Sequence, residues 1–304
     1  MNRPVPLSID EYLDELRAAL AGADPALIQD ALYDAEEYLR AEVAANPGIP
    51  EADVLERVVR TYGHPEEIAA AYRDTEVKVT QALHPPVSRG PVSPSLMDRF
   101  LSVYSDPRAY LSLFFMLLSL VTGIAYFTFA VTGLSLSLGL AILIIGMPMF
   151  IAFIGIARVI SLGEGRLLEA VSGERMPRRP VHPGPPGSLW ERILAMLRDA
   201  RTWTTLVYLV LMLPIGIVYF VGAITGLSVG LALLLVPVVG IAQRLELWVP
   251  WGTERLVISP VWLDTPVGWV FCAVFGVVVL TTLLHVARIV IGLHARAAKA
   301  LLVT

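Results

Sequence analysis

Long stretches without a charged side chain constrain this chain more than any other feature. Residues 109–157 contain no Asp, Glu, Lys, Arg or His over 49 positions, and residues 202–243 contain none over 42. Residues 265–287 contain only His285. A helix needs about 20 apolar residues to cross a bilayer core, so these stretches predict membrane spans, two of them in the first stretch. A mean hydropathy of +0.66 agrees with this prediction.

The distribution of basic residues predicts which loops face the cytoplasm. The connection 158–201 has eight Lys and Arg, whereas the loop 242–266 has two. Because cytoplasmic loops carry an excess of Lys and Arg, we expect both chain termini in the cytoplasm. The four predicted spans lie near 110–131, 138–160, 203–224 and 267–291.

The apolar segment 227–241 does not fit this scheme as a full crossing. It is short and contains Pro237, and a crossing there would place the basic C-terminal tail outside. We expect a re-entrant or interfacial segment, with a five-span topology as the alternative.

An internal duplication underlies the long apolar stretches. A shift of 93 residues aligns Asp106 with Asp199, and a shift of 130 aligns Arg158 with Arg288. The second copy therefore has about 37 additional residues. The two repeats cover about 104–170 and about 197–302.

The tetrapeptide Thr-Gly-Leu-Ser occurs at the same place in both repeats, at 132–135 and 225–228. Glycine permits a sharp turn, and hydroxyl groups can bond freed backbone groups near the membrane interface. We therefore predict that the tetrapeptide forms the outer turn of each helical hairpin. The predicted turn residues are Gly133, Ser135, Gly226 and Ser228.

The N-terminal region is a different kind of domain. Residues 8–76 contain 17 Asp and Glu against 5 Arg, a net charge of −12. Capping and stop signals predict four amphipathic helices, the last a short one through Tyr72. These signals are Ser8, Asp24-Pro25, Asn46-Pro47-Gly48, Gly63 and Pro65.

The predicted fold class is all-α. A small cytoplasmic helical domain at 1–76 is followed by a Pro- and Ser-rich linker at 77–100 and a duplicated membrane domain at 101–304. The Arg178-Arg179-Pro180 run is interpreted as part of a cytoplasmic linker that also fixes topology.

Two parts of the chain resemble known families. The YLxxLxxxL start, the DALYDAEEYLRAE centre and the YGHPEEIAAAY segment resemble the HAAS-type signalling domain. Its most specific local feature is the corner Gly63-x-Pro65-x-x-Ile68-Ala69, before which the family usually has Leu where this chain has Tyr62. That resemblance implies a cytoplasmic domain, often fused to membrane segments and often encoded beside PadR-like transcription regulators.

Residues 98–302 are similar to the sensor domain that precedes the catalytic module of many bacterial membrane histidine kinases. The matching features are DPRAY and DARTW before the hairpins, the Gly-x-x-Tyr-Phe repeat and the Ala-Arg pair that ends each hairpin. The resemblance implies a protein of the bacterial cytoplasmic membrane. Neither family supplies catalytic residues.

No sequence motif indicates catalysis, a cofactor or a metal. Cys272 lies in a predicted span, the five histidines lack ligand spacing, and neither a Walker A nor a GxSxG motif occurs. We expect no enzyme activity, cofactor or metal site.

Three tryptophans, Trp248, Trp251 and Trp262, are hypothesised to form a signal-facing outer loop, with an interfacial aromatic belt as the alternative.

These observations favour a membrane sensor or regulatory protein that relays an envelope or bilayer signal to a cytoplasmic partner, such as a PadR-like regulator. One alternative is a small transporter or permeation subunit, against which the absence of Asp and Glu from the predicted spans argues. The other alternative is a membrane scaffolding protein. The sequence is also compatible with a homo-oligomer in the bilayer.

The N-terminal domain at 1–76, which we call the acidic domain, is the hypothesised partner-binding region. Its negative charge suits a basic protein and repels nucleic acid, so no direct nucleic-acid binding is expected. Glu36 and Glu37 are expected to be exposed. The hypothesised partner-binding residues are Asp34, Glu36, Glu37, Tyr62, Gly63, Pro65 and Ile68.

Overall fold

The computed structural model describes residues 5–83, 95–140, 142–143, 145–179, 189–245 and 265–303. Within these ranges the chain is helical and has no strand, which confirms the all-α prediction. A short 3₁₀ turn at Ser102–Ser105 precedes the first long apolar helix. The helices are α1 Ile9–Ala19, α2 Pro25–Ala45, α3 Glu51–Tyr62, α4 Pro65–Leu83, α5 Leu96–Leu101, α6 Pro107–Gly139, α7 Gly146–Ser172, α8 Leu189–Arg198, α9 Ala200–Arg244 and α10 Pro266–Leu302.

The first two helices begin where the capping signals predict. The Ser8 hydroxyl accepts the Glu11 N–H at 3.2 Å at the start of α1. The Asp24 carboxylate accepts the Ala26 N–H at 2.8 Å at the start of α2. The fourth helix is longer than predicted, because α4 continues past Tyr72 to Leu83, into the segment interpreted as linker.

Helices α1 to α4 enclose one apolar core. Tyr12 lies in its centre, fully buried, and its hydroxyl donates to the Gly63 carbonyl at 3.0 Å, which ties α1 to the corner between α3 and α4. The other large buried side chains include Leu16, Leu20, Leu27, Leu39, Val54, Leu55, Val58 and Val59.

Within the part of the chain that the structure describes, four helices, α6, α7, α9 and α10, are long and apolar enough to cross a membrane. This confirms the four predicted spans. At 1.5 Å per residue, α6 is about 50 Å long and α9 about 68 Å, against a hydrocarbon core of about 30 Å. Both helices therefore exceed the length that one crossing requires.

The prediction that Thr-Gly-Leu-Ser forms the hairpin turns is wrong. Gly133 and Ser135 lie inside α6, and Gly226 and Ser228 lie inside α9. The first hairpin turns later, between Gly139 and Gly146.

These glycines instead serve helix packing. Gly133 lies directly against the ring of Phe153, and Gly226 against the side chain of Leu283, so that a β-carbon at either position would collide. Small residues let apolar helices approach closely in a bilayer, where the helix itself satisfies the backbone hydrogen bonds. A glycine among apolar residues thus indicated a contact rather than a turn.

The prediction of a separate segment at 227–241 is also wrong. These residues continue α9 without a break, and Pro214 and Pro237 both lie inside the helix. A continuous helix neither turns back nor adds a crossing, which excludes both the re-entrant and the five-span interpretations. Proline is tolerated inside membrane helices because neighbouring groups can satisfy the freed carbonyl.

Contacts divide the chain into two units. One unit comprises Met1–Arg89, Ala130–Tyr208 and Ala295–Thr304, and the other comprises Gly90–Phe129 and Leu209–His294. In the second unit α6 and α9 touch through glycine: Gly123 lies against the Met212 carbonyl, and Gly216 against the Ser119 carbonyl.

This glycine contact is reciprocal under the duplication. The 93-residue shift converts Gly123 into Gly216 and Ser119 into Met212, so each repeat offers its glycine to the same position of the other. Such exchange is typical of two-fold related surfaces. It supports the duplication inferred from sequence.

Candidate functional site

The candidate site begins where α7 ends. Gly173 follows the helix in a left-handed conformation, with φ of +76°, and its N–H donates to the Glu169 carbonyl at 2.9 Å. Glycine adopts this conformation without the steric cost that a β-carbon imposes. The chain then leaves the helix axis, and residues 173–179 run without helical structure. We call residues 175–179 the basic segment.

The basic segment lies on α2 of the acidic domain. The N–H groups of Arg178 and Arg179 both donate to one carboxylate oxygen of Asp30, at 2.8 and 2.9 Å. The Arg175 guanidinium lies 3.4 Å from the other oxygen. Asp30 is only 5% exposed, so one buried carboxylate is held by backbone and side-chain donors together.

Asp30 is a buried carboxylate, and its hydrogen bonds and nearby positive charge offset only part of the cost of burying it. Burial raises its pKa above the ordinary value of 3.8, and the two backbone N–H groups and Arg175 offset this only in part. A buried carboxylate without donors is costly. The basic segment therefore provides what this carboxylate requires.

Further ion pairs surround this contact. Arg175 also pairs with Glu76 on α4. The Arg179 Nε lies 2.9 Å from an Asp34 oxygen, and the guanidinium lies 5.7 Å from the centre of the Tyr33 ring. We call Asp30, Asp34 and Glu76 the acidic face.

The C-terminal end of α10 reaches the same domain. The Lys299 ammonium lies 2.6 Å from an Asp24 oxygen and 3.1 Å from a Glu174 oxygen. Gln29 joins two further elements, since its amide donates to the Arg179 carbonyl at 2.7 Å and its oxygen accepts from Arg201 at 3.0 Å. The acidic domain thus contacts the segment after α7, the start of α9 and the C-terminal end of α10.

A small cavity of about 50 Å³ adjoins the contact. It is large enough for one or two water molecules. Across it, Arg158 donates to Asp199 at 3.0 Å. Its lining includes Gln29, Arg158, Met176, Asp199, Arg201 and Leu302.

The predicted partner-binding residues on α2 have unequal surroundings. Asp34 is paired with Arg179 and accepts from the Tyr72 hydroxyl at 3.0 Å. Glu37 is exposed, as expected. The expected exposure of Glu36 is wrong: its side chain is 14% exposed and lies 2.7 Å from Arg40.

The predicted residues at the corner between α3 and α4 take part in the domain's own packing. Tyr62 stacks on Tyr38 with 4.5 Å between ring centres. Pro65 is buried, and Ile68 packs against the core. Gly63 has a φ of +113°, which favours glycine.

Sequence reasoning missed Gln29, Asp30, Arg175 and Lys299. One signal was present: Asp30 lies between Leu27 and Ala31 on the buried side of α2, where an acid needs a partner. The proposed outer loop cannot be compared, because Trp248, Trp251 and Trp262 lie outside the described residues. Among the residues that are described, no group of three His, Cys, Asp or Glu could hold a metal ion.

Comparison with known families gives two matches. A family model described as "Putative sensor" matches residues 115–302, more than half of the chain. A model described as HAAS matches residues 11–71, within the acidic domain. No curated protein and no solved structure matches the chain.

Proposed function

The chain belongs to this sensor family, and from that premise we propose that it relays an envelope or bilayer signal to a cytoplasmic protein through its HAAS domain. The observation that carries the proposal is the contact of the acidic face with the basic segment, which begins two residues after Gly173 at the end of α7. A displacement of α7 would move the segment directly. The role requires no catalytic step.

The proposed mechanism is a shift between two packings of the membrane helices. A signal can bias them only if it interacts differently with each. One packing would hold the basic segment on the acidic face, and the other would withdraw it. We place both termini in the cytoplasm of a bacterial cell, since the connection 158–201 is rich in Lys and Arg.

We propose that the output partner is a PadR-like transcription regulator. A net charge of −12 over residues 8–76 steers a basic protein towards the domain and disfavours nucleic acid. The HAAS match supports a protein partner. On the domain, exposed Glu37 and the acidic face are the proposed contact region, next to the corner that contains Tyr62 and Ile68.

The test uses the full chain with Arg175→Ala and Arg179→Ala, which releases the basic segment from the acidic face, in lipid nanodiscs with a purified PadR-like regulator. We expect binding that weakens steeply between low and physiological salt, mainly through a slower association rate. Glu37→Lys should weaken binding further, whereas Glu15→Lys, the same charge reversal at an exposed position of α1, should weaken it less. Absence of binding at low salt, or equal effects of the two reversals, would refute the proposed partner.

A further inference from the structure

We infer that the basic segment is an internal occupant of the acidic face, and that an extended, arginine-containing segment of a cytosolic partner binds this face only when residues 175–179 have left it. The inference rests on the proposed function only in taking the HAAS domain as the output. It adds the chemistry of the partner and the means by which binding is prevented.

The first support is the form of the contact. Asp30 accepts two successive main-chain N–H groups, from Arg178 and Arg179. Arg175 pairs with Asp30 and Glu76, and Arg179 pairs with Asp34. Main-chain N–H groups are present in any extended peptide, and arginine side chains add charge-assisted bonds. The acidic face therefore recognises a type of segment rather than one unique residue.

The second support is that the face is costly to leave vacant. The Asp30 and Arg175 side chains are 7% and 12% exposed in the contact, and the Glu76 side chain is 20% exposed. When the basic segment withdraws, three carboxylates of like charge remain together on one side of the domain. A cationic segment from another protein would restore the missing donors.

The third support is that the occupant is displaceable. The Arg179 side chain is 51% exposed and its partner Asp34 is 31% exposed, so this ion pair is screened by solvent. Gly173 in its left-handed conformation separates the segment from the helix. The segment nevertheless has the advantage of being tethered, with an effective concentration on the order of millimolar. An external peptide therefore competes poorly until the segment is released.

The experiment measures binding of a labelled peptide with the sequence GERMPRR, residues 173–179, to the full chain in phosphatidylcholine nanodiscs by fluorescence anisotropy. Wild type should bind it weakly. Arg175→Ala combined with Arg179→Ala should bind it about tenfold more tightly, since the internal competitor is lost. The control Arg17→Ala with Arg60→Ala removes two exposed arginines of the acidic domain, and should change affinity less than about twofold.

The site of binding is tested by adding Asp30→Ala to the released variant, which should abolish the gain. Equal affinity of the released variant and the Arg17/Arg60 control would overturn internal occupancy. A gain that persists without Asp30 would overturn the assignment to this face.

A second measurement leaves Arg175 in place and holds the basic segment on the acidic face. In a Cys272→Ser background, Asp34→Cys and Arg179→Cys are introduced and the two thiols are joined by a short bismaleimide. Joining should lower peptide binding below that of the unjoined protein, and unchanged binding would overturn the inference. The peptide assay contains no cytosolic regulator. A regulator that fails to bind therefore refutes the proposed function alone, whereas the peptide results decide the internal occupant.

Discussion

The two hairpins of the membrane domain derive from one ancestor sequence, yet they differ at both ends. With the 93-residue shift, the end of α6 at Gly139 corresponds to Ala232, but α9 continues 12 residues further to Arg244. With the 130-residue shift, the start of α7 corresponds to Gly276, but α10 begins 10 residues earlier. Most of the extra sequence of the second repeat therefore lengthens its hairpin.

At the other end the hairpins differ in how the chain leaves the second helix of each, which we call the exit. After α7 the chain passes through Gly173 into the basic segment, whereas α10 continues to Leu302 and contributes Lys299 as a single cation. Between these ends the equivalent contacts are kept. The comparison indicates that the duplicated centre holds the helices together and that the divergent ends carry the specialised contacts.

The duplicated centre of the membrane domain is tested most strongly at the paired glycines. Valine at Gly123 or Gly216 would place side-chain atoms against the Met212 or Ser119 carbonyl, and a helix backbone cannot move aside alone. Overpacking typically costs about 1–3 kcal/mol, and we expect about 3 kcal/mol at either site. The readout is the Tm in detergent from tryptophan fluorescence.

Gly222→Val is the matched control for these variants, because no neighbouring atom lies within 4 Å of a β-carbon there. It should leave the Tm nearly unchanged. A large loss at only one of Gly123 and Gly216 would break the equivalence of the repeats.

The two exits are compared by Arg175→Ala and Lys299→Ala. Arg175 pairs with two carboxylates and is 12% exposed, so its removal should cost about 3 kcal/mol. Lys299 is 14% exposed, but its partners Asp24 and Glu174 are 28% and 37% exposed, so about 1 kcal/mol is expected. The measurement is hydrogen exchange of α2 in the full chain. Equal deprotection by the two variants would contradict a dominant role for the first exit.

The arginine–aspartate pairs offer a finer comparison. Arg158 pairs with Asp199 at 3.0 Å and Arg288 with Asp106 at 3.1 Å, so each arginine meets the aspartate of the other repeat. All four side chains are partly exposed, so each pair should contribute about 1 kcal/mol.

Double-mutant cycles with Asp→Asn and Arg→Gln, read as Tm changes, isolate each pair's coupling. Asparagine retains an oxygen for the N–H that each aspartate accepts at the start of its helix. Coupling energies that differ by more than about 0.5 kcal/mol would show that the pairs are no longer equivalent.

Local signals made the acidic domain predictable, and composition made the spans predictable. Ser8 and Asp24 cap their helices through neighbouring residues, so a short window of sequence is sufficient. The four spans follow from apolar length alone. The duplication also predicted which residues are equivalent, and the reciprocal contacts of Gly123 and Gly216 agree with it.

The contacts that depend on distant partners were not predictable in the same way. Gly133 resembles a turn residue until Phe153 is known to lie against it. Arg178 and Arg179 counted only as topology signals, because Asp30 lies 148 and 149 residues away along the chain. Charge complementarity between an acidic domain and a basic connection restricts the candidates, but it does not select one pair among many.

The smallest expected effect concerns pH and again separates the two exits, since the Asp30 carboxylate belongs to the contact that follows α7. Its pKa is raised in the folded protein by burial, against Arg175 and the backbone N–H groups of Arg178 and Arg179, with Asp34 raising it further. A raised pKa means that the folded protein binds this proton more tightly than the unfolded chain does. The stabilisation is therefore complete below the ordinary value of 3.8 and is lost as the pH rises through the raised value.

Asp30→Asn removes this titration and keeps the side-chain shape, and all other titrating groups are common to the two proteins. We expect the Tm of wild type minus that of Asp30→Asn to increase as the pH falls from 7 to 4, by a few degrees at most. A difference that stays constant would show that the donors of the basic segment balance burial, and one that increases with rising pH would show that they outweigh it. In that case the acidic face would hold its occupant mainly by charge, and Arg175→Ala should then weaken the contact more at pH 7 than at pH 4.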